Sequence, residues 1–168
     1  MTGSQPMDAD IVGFRDAVPG DEVLVTRFVR GLADYEKLPH LAVATEADFR
    51  RALFGPKQRA WAMIIELDGE AVGMALYYFV FSTFTGRPGL YLEDIFLEEG
   101  VRGRGIGRAI FRELAARAVA EGCTRMDWSV LNWNAPAIAF YRSLGGKPKE
   151  DWTTYRLDGE ALAALSSS

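Results

Sequence analysis

The sequence predicts a mixed α/β fold, a mostly antiparallel central sheet with helices on both faces. Three observations carry this. Apolar runs of strand length alternate with stretches of helical period, in the order strand, helices, antiparallel strands, helix, strand, helix, strand. Asp68-Gly69 is a two-residue hairpin signal between two of the runs. A loop rich in arginine and glycine, 102–108, leads from a short apolar strand straight into an amphipathic helix.

Taken in order, residues 1–10 read as a disordered leader, and 11–165 as a single domain. Residues 11–18 alternate apolar and polar as a strand, and Pro19-Gly20 turns the chain. Val25, Phe28, Val29 and Leu32 give 21–38 a helical period that stops before Pro39. Thr45 is an N-cap with Asp48 three residues on, so 45–54 is a second helix, ended by Gly55-Pro56. Residues 59–67 and 71–82 are the hairpin strands. A loop over 83–89 precedes a strand over 90–97. Ile106, Ile110, Leu114 and Ala118 form one stripe of a helix over 103–121. A strand is expected over 124–131. A helix then starts at Asn132–Pro136 and ends before Gly145-Gly146. A last strand over 152–157, a short helix over 158–165 and a disordered tail over 166–168 complete the chain.

Composition narrows the function. The chain has 168 residues and a net charge of −4, which argues against a general nucleic-acid binder. The arginines between 102 and 117 are the local exception. No apolar run is long enough to cross a bilayer, and no signal peptide precedes the first strand, so a cytoplasmic location without a membrane partner is expected. A single cysteine, Cys123, excludes an internal disulfide framework. With a single histidine, His40, there is no His/Cys metal cluster, and no metal is expected.

The central stretch runs Leu92-Glu93-Asp94-Ile95-Phe96-Leu97, a turn, then Arg102-Gly103-Arg104-Gly105-Ile106-Gly107-Arg108 and the helix. Glycines at a helix start let backbone N–H groups approach an anion, and the helix adds unsatisfied donors and its positive dipole end. The arginines suit a pyrophosphate. The glycine spacing fits neither the P-loop nor the dinucleotide fingerprint. What remains is Arg-x-x-Gly-x-Gly, carried by Arg102, Gly105 and Gly107.

That loop resembles the acetyl-CoA pyrophosphate loop of the GNAT acyltransferase superfamily. Leu90–Asp94, Leu32–Glu36 and Trp133–Tyr141 extend the likeness over most of residues 11–165. They resemble the branch of spermidine/spermine (diamine) and thialysine N-acetyltransferases. The resemblance implies a splayed sheet, acetyl-CoA as cosubstrate, a homodimer, and acetyl transfer to a small cationic amine by direct attack in a ternary complex. A protein amine or an aminoglycoside as acceptor, or a CoA-binding module without turnover, are the alternatives.

Such chemistry needs a base for an amine that is mostly protonated near neutrality, and an acid for the departing thiolate. Glu93 is the candidate base, a carboxylate in an otherwise apolar strand. Asp94 would point to the opposite face if the strand is regular. Tyr141 is the candidate acid. The resemblance assigns the cofactor to Ile95, Phe96 and Leu97 through their backbone, to Arg102, Gly103, Arg104, Gly105, Ile106, Gly107 and Arg108, and to Asn134, Pro136, Ala137 and Tyr141. Asn134 is equally well placed to cap the following helix. By the same resemblance Tyr35, Glu36, Glu93, Asp127, Trp128 and Glu150 form the amine site. Cys123, with no neighbouring base, reads as a packed thiol, and His40 as an exposed loop residue.

Overall fold

The computed structural model describes residues 11–167. The leader expected at 1–10 and the last residue of the tail lie outside the described residues. Two compact units follow one another, one ending at Ser129 and one beginning at Val130.

The first unit holds a five-stranded sheet in sequential order. Its strands are β1 (Val12–Asp16), β2 (Trp61–Leu67), β3 (Glu70–Ser82), β4 (Arg87–Leu97) and β5 (Met126–Trp128). The first four pair antiparallel, and β5 runs parallel to β4. The β2–β3 turn is the one expected: Asp68 and Gly69 have φ of 52° and 86°, the double positive φ that suits a twisted two-residue hairpin.

Helices α1 (Glu22–Tyr35) and α2 (Glu46–Phe54) cover one face. Val25 and Phe28 of α1 and Leu53 of α2 pack on Ala62, Ile64, Met74 and Leu76, with Phe96 at the margin. Helix α3 (Ile106–Ala120) covers the other face. Its Arg117 reaches the hydroxyl of Tyr77, the neighbour of Leu76 and so on the opposite side of β3. Ile106, Ile110, Leu114 and Ala118 are all buried, as their spacing requires. Each such side chain contributes roughly 1.5–3 kcal/mol when fully buried, apart from the smaller alanine.

Local chemistry explains the helix ends. Thr45 and Asp48 make a complete capping box for α2. Asp21, at the N-cap of α1, is held by Arg15 at 2.6 Å and accepts the amide of Val18 at 2.8 Å. Helix α1 stops at Tyr35, short of the expected end before Pro39, because Lys37 adopts a left-handed φ of 63°. His40 lies exposed in a short 3-10 turn over Pro39–Leu41.

Three expectations need correction. Strand β4 starts at Arg87 rather than at Leu90, because Ser82, Phe81 and Val80 give Arg87, Pro88 and Gly89 ladder partners. The strand over 124–131 shrinks to Met126–Trp128, because its ladder on β4 covers only Leu90, Tyr91 and Leu92. The strand expected over 152–157 does not form. Alternation alone makes no strand; its backbone groups need a paired neighbour, and this segment has none among the described residues. The second unit instead comprises α4 (Ala135–Ser143), an irregular segment and α5 (Gly159–Ser166). Helix α5 continues through Ser166, one residue into the expected tail.

Candidate active site

The two carboxylates of β4 sit on a bulge. Phe96, Ile95 and Asp94 pair with Met74, Ala75 and Leu76 in regular register, but Tyr77 then pairs with Leu92. Glu93 is therefore an extra residue on β4. A bulge breaks strict alternation and re-aims side chains. Asp94 does not point away from Glu93, as a regular strand requires. It shares the α1 face with Leu76 and Phe96, and feels the charge of both Glu93 and Glu36.

The electrostatics follow from this crowding. The Asp94 carboxyl is pushed up to about 6, first by burial and then by the charges of Glu93 and Glu36. Burial also raises Glu36. The Tyr78 hydroxyl is pushed up to about 12 by burial, with Glu93 next and Tyr91 after it. Tyr78 and Tyr91 are cross-strand partners and stack at 5.1 Å. Glu93 beside the Tyr78 ring, with Asp94 and Glu36 adding negative charge nearby, suits a cationic alkylamine.

The ladder between β4 and β5 ends at Leu92, so Ile95, Phe96 and Leu97 have no ladder partner on β5. The glycine-arginine loop follows shortly after the end of β4. Gly103 and Gly105 both have φ of 79°, and a Cβ on either would meet nothing within 4 Å. The loop backbone is thus uncovered and bent as glycine alone readily allows. Arg108 and Ala109 donate the first bonds of α3 to the Gly105 carbonyl, which leaves the Ile106 and Gly107 amides at the open helix start. An open loop, a helix start and arginines fit a diphosphate.

Residues 27–145 match the acetyltransferase (GNAT) family. The chain belongs to that family. The acetyltransferase is 37% identical over 163 residues to a thialysine N-epsilon-acetyltransferase of Sus scrofa, covering 90% of this chain and 95% of that protein. An L-ornithine N5-acetyltransferase of Arabidopsis thaliana is 27% identical, with 90% and 86% covered. Among solved structures, an integron cassette protein from the mobile metagenome of V. cholerae has a TM-score of 0.78 at 26% identity, covering 94% of this chain and 98% of its own.

The remaining candidate residues of the acetyltransferase are less concentrated. Asp127 on β5 is ion-paired with Arg125 at 2.7 Å, and Trp128 packs edge-on against Phe111 at 5.2 Å. Both have structural work besides any contact with an amine. In the second unit, Asn134 is buried, and its side chain accepts the Ala137 amide at 3.3 Å, so it caps α4. Pro136 stands in the first turn, Tyr141 near the end beside Phe140, and Glu150 in an exposed turn. Cys123 is partly buried; burial and then Glu121 push its thiol up, away from the thiolate a nucleophile needs. Among the described residues no acidic, His or Cys group has the makings of a metal site. No helix among them is long and apolar enough to cross a membrane.

Reading the sequence alone leaves Asp94, Tyr78 and Tyr91 out of the site. The regular alternation of a strand misplaces Asp94. The tyrosines signal a site only once the register is known, as aromatic residues on two strands whose pairing fixes them face to face.

Proposed function

We propose that this acetyltransferase uses acetyl-CoA to acetylate a primary amine of a small cationic substrate: a polyamine, a diamine or a thialysine-like amino acid. The observation that carries the reading is the bulge, which brings Glu93 and Asp94 of β4 together within the field of Glu36 at the end of α1. Bound acetyl-CoA supplies the activated acetyl thioester. The amides and arginines of 102–108 bind its diphosphate, and the backbone of Ile95, Phe96 and Leu97 receives its arm.

Glu93 acts as the base, directly or through a water, and takes the proton from the ammonium so that the amine attacks in a ternary complex. The aromatic rings and Glu36 favour a cationic acceptor over a neutral one. Tyr141 is the acid for the departing thiolate, on the strength of the Trp133–Tyr141 resemblance. Asn134, Pro136 and Ala137 belong to the cofactor-binding set on the same ground. Family membership also supports a homodimer, which light scattering tests.

The deciding experiment is an amine panel with acetyl-CoA, read by thiol release. It compares spermidine, putrescine, lysine analogues including thialysine, ornithine and an aminoglycoside. Turnover restricted to the aminoglycoside, or absent on all of them, overturns the reading.

A further inference from the structure

Arg102 opens the Arg-x-x-Gly-x-Gly pattern, which assigns it to the diphosphate. Its neighbours point to a second task. Its Nε donates to the Leu97 carbonyl at 2.8 Å, at the end of β4. Its guanidinium lies 4.9 Å from the centre of the Tyr35 ring and 5.6 Å from that of Phe96. Tyr35 is the last residue of α1, and Phe96 lies two residues beyond Asp94. One turn earlier in α1, a Cβ on Gly31 would stand 2.7 Å from the Phe96 ring. Helix and strand touch there so closely that any side chain would displace the ring. The end of α1 is thus fixed twice, at Gly31 against Phe96 and at Tyr35 under Arg102.

We infer that Arg102 is a positioning residue for the amine: it holds Tyr35 against the end of β4 and so fixes the Tyr35–Glu36 wall opposite the bulge carboxylates. The inference rests on the reading of that wall as part of the amine site. The residue type fits the task. A planar guanidinium lies flat on a ring while its Nε donates sideways, and a lysine ammonium does not do both. The alternative ordering force, burial, is weak here because Tyr35 and Arg102 are both exposed. The same arginine links the cofactor loop to the amine wall, so a change in one is felt at the other.

The test measures the amine KM at saturating acetyl-CoA, so that any loss of cofactor affinity is overcome. Arg102→Lys and Arg102→Met are compared with the unchanged enzyme, alone and combined with Tyr35→Leu. Each is expected to raise the amine KM about three- to tenfold, the scale of a lost cation–π contact. In the Tyr35→Leu background the same substitutions are expected to add less than about twofold, since the coupled partner is already gone. An amine KM unmoved in both Arg102 variants overturns the inference, as does a rise that multiplies in full with that of Tyr35→Leu. Either result leaves the acetylation reading standing if the unchanged enzyme turns over. Failure of the unchanged enzyme to acetylate any amine removes that reading, and the inference with it.

Discussion

Asp94 lies opposite Leu76 in the β3–β4 ladder, although the next pair along joins Tyr77 to Leu92 and leaves Glu93 over as the extra residue of the bulge. The two carboxylates are consequently coupled. Burial, and then the charges of Glu93 and Glu36, hold Asp94 at about 6, close to neutrality. Glu93→Gln removes a like charge, which favours ionised Asp94 and moves its titration toward acid. The pH profile of kcat/KM should therefore show an acid limb near pH 6 that shifts downward in Glu93→Gln. Turnover should fall on the order of 100-fold, the scale of a lost general base. An unshifted limb with unchanged turnover removes Glu93 as the base and Asp94 as the group that sets the limb.

The same crowding costs stability, and its sign is opposite to that of an ion-paired carboxylate. Asp94 binds its proton more tightly folded than unfolded, so stability falls as pH rises from about 4 through about 6. Asp94→Asn removes the buried charge. Melting temperature at about pH 8 should rise, for a gain on the order of 2 kcal/mol. The gain should shrink as pH falls below about 6 and vanish below about 4, where Asp94 is protonated in both states. Amine turnover should fall in the same variant, the expected exchange of stability against function where a destabilising charge faces a cationic substrate. Equal melting curves at the alkaline end would show that the bulge carboxylate carries no such cost.

How much of this was legible in the sequence depends on the range of each signal. The Thr45–Asp48 cap, the Asp68-Gly69 hairpin and the stripe on α3 are set by neighbours a few residues apart, and all three form as read. The bulge is not local. It exists only in the register between Leu76 and Asp94, so no inspection of β4 alone reveals it. The missing strand over 152–157 fails for the related reason that a strand is half of a pair. In the candidate site, the glycine loop was legible because φ constraints write themselves as glycine. The cation–π contact of Arg102 with Tyr35 was not, because it joins residues far apart in the chain.

Tyr141 lies near the end of α4, within the second unit, and its proposed role is narrow enough to isolate. Tyr141→Phe deletes one hydroxyl and keeps the ring. If the phenol protonates the leaving thiolate, kcat should fall about 100-fold while CoA affinity changes little. Calorimetric titration with CoA and steady-state thiol release measure the two quantities separately. A kcat within about twofold of the unchanged enzyme removes Tyr141 as the acid.

Gly105 separates binding from folding more sharply. Its φ of 79° disfavours any side chain, at a cost of about 1 kcal/mol, yet a Cβ there would strike nothing within 4 Å. Gly105→Ala should therefore lower stability only by that backbone strain. Gly105→Glu adds bulk and negative charge where the diphosphate is proposed to lie. Its CoA dissociation constant should rise well over tenfold, about 1.4 kcal/mol or more, while its melting temperature stays near that of Gly105→Ala. The Ala variant supplies the correction for strain, so the difference between the two reports on the anion site alone. An unaltered dissociation constant in Gly105→Glu would detach the loop from the cofactor, whatever the melting curves show.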